Sequence, residues 1–184
     1  MDYPGYKKLF WAMIIISFHI NIGYIKILPE AIGYMLIYFG LKNLSEQNEN
    51  YEKGKIPAII LTILTLKDAW NNPNDNILAG GAYNIGLTNT VISSVVMIIK
   101  IYLIYIIISS MVEVYDKQGE DTFVDNIKAA WRFFLGVYLV YLFCMPFLMN
   151  LNEDFKITII ISMGIMQIVA NLIVAFVFRK VKEF

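Results

Sequence analysis

The chain is poor in most of the side chains that catalysis in water draws on. Among 184 residues it has one cysteine, one histidine and 16% charged residues, against roughly 25% charged in an average soluble protein. A lone cysteine excludes an internal disulfide and any cysteine-built zinc or iron–sulfur centre. A lone imidazole cannot make a protein metal site by itself. Neither charge sign is in excess, since Lys+Arg and Asp+Glu are each 15. The basic surplus that phosphate backbones require is missing, which argues against nucleic-acid binding.

The familiar catalytic signatures are absent as well. There is no HExxH pair, no GxSxG elbow, no P-loop and no dinucleotide fingerprint. Cys144 lies in an aliphatic run and reads as a neutral buried thiol, not a nucleophile. Glu30, Asp68 and Asp75 are all peripheral to the apolar stretches, so no acid relay or pair of membrane carboxylates is in view. The sequence therefore predicts a protein without enzymatic activity, metal or cofactor.

What is abundant is apolar surface, at 58% of residues, which also excludes a disordered chain. A helix that spans a bilayer needs about 20 mainly apolar residues, within roughly 17–25. Leu9–Ile25, Val91–Met111, Phe133–Asn150 and Ile157–Phe178 meet or nearly meet that length without an acidic interruption. Leu28–Leu44 and Ile56–Trp70 are shorter, and each begins near a proline, Pro29 or Pro57, which suits a helix's first turn. The expectation is an all-α polytopic membrane helix bundle of six transmembrane helices, the third of them short. It occupies a single integral membrane domain, residues 1–184.

Basic residues supply an orientation. Counted from the N-terminus through the successive connections and span ends, Lys and Arg run 2, 1, 3, 1, 3, 1, 3, with Lys100 alone assigned to neither side. Short cytoplasmic loops collect Lys and Arg, so both termini are expected in the cytoplasm (N-in/C-in). Lys7 and Lys8 ahead of an apolar run look like a secretory signal, but no small-x-small cleavage site follows. We read an uncleaved first helix.

The connections are modest. Ser45–Lys55 reads as a polar loop, and Gln118-Gly119 as a break. Beyond that break Phe123, Val124, Ile127, Ala130 and Trp131 recur at helical spacing. They read as an extension of the fifth helix into the interface, or as a partner-docking face. Asn71–Asn89, rich in Asn, Gly and Pro, reads as a loop or as a lid over an outward cavity. The many tyrosines read as interface belts and packing.

Polar groups at membrane depth are the candidate site. A charge at the centre of a span costs about 2.5–3.5 kcal/mol on insertion scales. Lys100 sits at that depth in Val91–Met111. It reads either as a snorkelling or ion-paired side chain, or as the counter-ion of an anionic ligand or partner subunit. Glu30 and Asp68 are its nearest acidic candidates by depth. His19 lies in the first span, as a packed core histidine or as a site residue. Gln167 and Asn171 are four apart and share one face of the last helix, where such groups commonly bond across membrane helices. Ser93, Met97, Lys100 and Ile104 share a face of the fourth. Convergence of His19, Lys100 and Gln167 with Asn171 would make a small polar cavity.

The stretch Leu28-Pro29-Glu30-Ala31-Ile32-Gly33-Tyr34, continuing through Gly40-Leu41 to Leu44-Ser45, resembles the LPDFIGY…GL..LS pattern of small, uncharacterised multi-spanning membrane proteins of Gram-positive bacteria. Lys53-x-Lys55-x-Pro57 fits the same group, and the match covers roughly residues 5–60, with Glu30-Ala31 in place of the more usual Asp-Phe. The resemblance implies a bacterial cytoplasmic-membrane protein and carries no activity with it. The residues themselves point to non-enzymatic binding of a small solute or a membrane partner within the bundle. The alternative is a small transporter or the substrate-binding subunit of an uptake transporter. Expected partners are the lipid bilayer and either a membrane protein or a small-molecule ligand, with no nucleic acid.

Overall fold

A computed structural model describes residues 4–18, 21–22, 25–26, 30–66, 87–148 and 150–181. Helix α1 spans Pro4–Ser17 and is followed by two short strands, β1 (Asn21–Ile22) and β2 (Ile25–Lys26). Next come α2 (Glu30–Leu44), a 3-10 helix (Glu49–Gly54) and α3 (Lys55–Leu66). The chain ends with α4 (Leu87–Asp116), α5 (Asp121–Leu148) and α6 (Glu153–Arg179).

Among the described residues there are six α-helices, but not six candidate membrane spans. Among the described residues three, α4, α5 and α6, are long and apolar enough to cross a bilayer. At 1.5 Å per residue they reach about 40–45 Å, whereas α1, α2 and α3 reach about 18–22 Å against a hydrocarbon core of about 30 Å. The expected first span, 9–25, is the clearest correction. Its helix ends at Ser17, whose hydroxyl donates to the Met13 carbonyl at 2.6 Å. Farther along, two short pieces pair as antiparallel backbone, Asn21 opposite Lys26 and Ile22 opposite Ile25. Asn21 and Gly23 interrupt the apolar run with poor helix formers, and hydropathy alone did not register them. The expected spans 28–44 and 56–70 become Glu30–Leu44 and Lys55–Leu66; residues 67–70 and the proposed lid up to residue 86 lie outside the described residues.

The last three helices are longer than the apolar runs that announced them. α5 begins at Asp121, directly after a turn in which Gly119 adopts φ +75°, a backbone conformation suited to glycine. The amphipathic stretch 123–131 is therefore the first part of α5, with Val124, Ile127 and Ala130 buried. α6 is capped by Asn152, whose side-chain oxygen accepts from the Phe155 N–H at 3.0 Å. Glu153 and Asp154 follow in the first turn, where carboxylates complement the helix dipole.

Sequence neighbours are spatial neighbours throughout. Each helix from α1 to α5 packs on the next, and α6 returns to pack on α1, which closes a ring of six. The ring closes tightly where small residues meet. On α2, Gly33 and Gly40 are seven apart and so share a face; a Cβ on Gly40 would stand 3.0 Å from the Gly5 carbonyl oxygen, and one on Gly33 3.1 Å from that of Ala12. Such small-residue contacts let membrane helices approach closely. A buried cluster fills the ring, including Leu9, Met13, Ile37, Leu41, Leu61, Leu103, Ile107, Phe134 and Val174. The outer faces carry large exposed apolar side chains on every helix, among them Trp11, Met35, Ile63, Ile98, Phe143 and Ile165. Exposed apolar area on this scale is foreign to a soluble monomer. With three long apolar helices, it is consistent with a membrane-embedded protein.

The segment Ser45–Lys55, expected as a loop, is instead an anchored element. Asn48 caps the 3-10 helix by accepting from the Asn50 N–H at 2.9 Å. Tyr51 is fully buried, and its hydroxyl bonds that of Tyr6 at 2.9 Å. Burial holds the Tyr51 phenol well above its ordinary pKa. Asn48 and Asn50 donate to Glu113 Oε2 at 3.1 and 2.8 Å, fastening the turn to the end of α4. The exposed Glu52 carboxyl is held below its usual range by its hydrogen bond to Lys55.

Candidate functional site

Five of the six helices contribute to one cavity of about 200 Å³. Glu30 and Tyr34 come from α2, one turn apart on the same face, and Thr65 from the last turn of α3. From α4 come Ile92, Ser93, Val96, Met97 and Lys100; α5 gives Tyr138 and Tyr141, and α6 gives Gln167. Ile92 to Lys100 is eight residues of helix, about 12 Å, so the cavity reaches from near the head of α4 to its middle.

Lys100 lies at the inner end of that run. It is 8% exposed, and its ammonium stands 4.9 Å from the centroid of the Tyr138 ring. A cation over an aromatic face gains about 0.5–2 kcal/mol, more as water is removed. Among the described residues Lys100 forms no hydrogen bond and no ion pair. Its N–H donors are therefore left to the polar cavity that it lines.

Two other lining groups lack partners. Tyr34 is 1% exposed, yet its hydroxyl has no hydrogen bond, and neither has Gln167 Nε2. A buried polar group left unpaired costs about 1–3 kcal/mol, so two of them beside an unpaired cation make an unusual concentration of unmet demand. Neighbouring groups are satisfied locally. Thr65 donates to the Leu61 carbonyl at 2.7 Å, and Tyr138 donates to Asn171 Oδ1 at 3.0 Å.

The structure thus brings Lys100, Gln167 and Glu30 to one cavity and places Asn171 behind it, bonded to the lining residue Tyr138. His19 lies outside the described residues. Ser93 and Met97 share the cavity with Lys100, as their spacing requires, while Ile104 continues that face into the buried core. Sequence reasoning missed the tyrosines. Tyr34, Tyr138 and Tyr141 line the site instead of forming an interface belt, and the available signal was helical spacing, with Tyr34 four residues after Glu30 and Tyr138 three before Tyr141.

A second concavity, about 460 Å³, lies beside Glu113 and the 3-10 helix. The Glu113 carboxylate already accepts from Asn48, Asn50 and Lys117, so this surface lacks the unpaired donors of the first. Among the described residues there is no group of three or more His, Cys, Asp or Glu side chains placed to hold a metal ion. Compared with family models, curated proteins and solved structures, the chain matches none.

Proposed function

We propose that this chain is an integral membrane protein that binds a small polar solute, without transforming it, in the cavity enclosed by α2 to α6. The observation that carries this reading is the meeting of an unpaired Lys100 ammonium with the unpartnered Tyr34 hydroxyl and Gln167 amide around one space. In a membrane helix a charge without a partner is a standing cost. A solute that supplies acceptors removes it, whereas tighter apolar packing would have avoided it altogether. The small volume, below the roughly 300–1,000 Å³ of pockets for drug-sized ligands, favours a compact solute.

The setting we propose is the bacterial cytoplasmic membrane, with the α4–α5 connection, the 3-10 helix bonded to the end of α4 and the end of α6 on the cytoplasmic side. Lys117, Lys128 and Arg132 around that connection and Arg179, Lys180 and Lys182 at and after the end of α6, against Lys156 alone between α5 and α6, support that orientation, and the resemblance at Leu28–Tyr34 supports the setting. A small transporter or the substrate-binding subunit of an uptake transporter would use the same cavity and add release on the opposite side. Native mass spectrometry of the full chain in mild detergent tests the binding reading. It is expected to show a small molecule retained by the wild-type protein and absent from Lys100→Met. Uptake of that molecule into sealed vesicles beyond stoichiometric binding would select the transporter reading.

A further inference from the structure

We infer that the solute presents a single carboxylate group to the inner end of the cavity, where Lys100 Nζ, Gln167 Nε2 and the Tyr34 hydroxyl receive it. The inference rests on the solute-binding reading above and specifies its chemistry. Donors and acceptors are out of balance at the inner end of the cavity. An ammonium offers three donors and no acceptor, an amide nitrogen offers two donors, and a phenol offers one. All three groups line the cavity, and among the described residues none has a hydrogen-bonding acceptor. Water supplies as many donors as acceptors and leaves the Lys100 ammonium without the ion pair that it lacks among the described residues. A carboxylate is acceptor-only, with two oxygens and about four lone-pair sites, and it brings the missing negative charge.

Charge and size narrow the class further. Tyr138 already covers one side of the Lys100 ammonium with its ring, so the remaining donors point to a compact acceptor. Glu30, the first residue of α2, lines the same cavity. Lys100 is the one cationic side chain among the described lining residues, so a second negative charge on the solute has no counter-ion, which disfavours dicarboxylates and inorganic phosphate. Simple acids and amino acids, each with one carboxylate, both belong to the class. A volume of about 200 Å³ limits either to a few carbons.

The test is calorimetric titration of the full-length protein in mild detergent. The probes are acetate, lactate and alanine, against acetamide and lactamide as neutral isosteres, with succinate and inorganic phosphate as doubly charged probes. At least one monocarboxylate is expected to bind at least tenfold more tightly than its amide and than either doubly charged probe. Lys100→Met is expected to weaken that acid by tenfold or more. Tyr34→Phe keeps the ring and its packing, and is expected to weaken it about threefold or more without lowering the melting temperature. If amides bind as tightly as acids, or if both variants retain wild-type affinity for the acid, the carboxylate assignment fails while solute binding stands. If no probe of any charge binds, both readings fail.

Discussion

The Lys100 ammonium lies 4.9 Å from the centre of the Tyr138 ring, and the hydroxyl of the same tyrosine donates to Asn171 at 3.0 Å. Tyr138 thus couples the cation of α4 to the polar face of α6. Its ring also stacks on Phe134, with centroids 4.3 Å apart, which fixes its plane beneath the charge. Tyr138→Phe retains the ring and removes the bond to Asn171, with an expected destabilisation of about 1–3 kcal/mol because a buried amide oxygen loses its donor. Tyr138→Leu removes the aromatic face as well and is expected to cost more. Thermal melts in one detergent compare the two, and equal losses would show that the ring contributes nothing through Lys100.

Lys100→Met separates binding from stability. The substitution removes a buried charge that has no counter-ion among the described residues and inserts an apolar side chain of similar length. Replacing buried charge with packed apolar groups is often neutral or stabilising, by up to about 4 kcal/mol. We expect the empty variant to melt at or above the wild-type temperature while losing its solute. A marked drop in melting temperature would identify Lys100 as structural.

The α1–α2 contact depends on the absence of a side chain at Gly33 and Gly40. A Cβ at Gly40 would stand 3.0 Å from the Gly5 carbonyl oxygen, and backbone cannot yield as a flexible side chain can. Gly40→Val is expected to cost about 1–3 kcal/mol or more by overpacking. Gly136 has nothing within 4 Å of such a Cβ, so Gly136→Ala serves as the control and is expected to be neutral or slightly stabilising through helix propensity.

The Tyr6–Tyr51 bond ties the 3-10 helix to α1 across 45 residues of sequence, at 2.9 Å between buried hydroxyls. A double-mutant cycle with Tyr6→Phe and Tyr51→Phe measures it. The coupling expected is about 0.5–1.5 kcal/mol, and a coupling of zero would show the two rings to be held by packing alone.

Orientation is open to chemical labelling. In a Cys144→Ser background, single cysteines at Asn50 and Glu120 are expected to resist a membrane-impermeant maleimide added to intact cells, and one at Glu153 to react. Labelling at either of the first two would overturn the proposed sidedness.

The sequence by itself determined the helical class, because apolar runs broken by Pro, Gly and Asn leave few other ways to satisfy the backbone. It also identified the few costly polar groups, since a lysine or an amide inside an apolar run stands out wherever it points. Gln167 and Asn171 were legible as one face from their spacing. Hydropathy could not determine which runs cross a bilayer. The run 9–25 is apolar enough on average, yet its helix ends at Ser17, and Asn21 and Ile22 pair as strand with Lys26 and Ile25, because a helix end is set by backbone geometry and not by hydropathy. Nor could it tell that Tyr51, in a polar segment, would be fully buried against Tyr6. The tertiary structure also decided which faces look inward. Helical periodicity fixes which residues share a face, but only packing against neighbours fixes where that face is directed. Closure of the ring turned Glu30, Tyr34, Lys100 and Gln167, spread over three helices, toward one cavity.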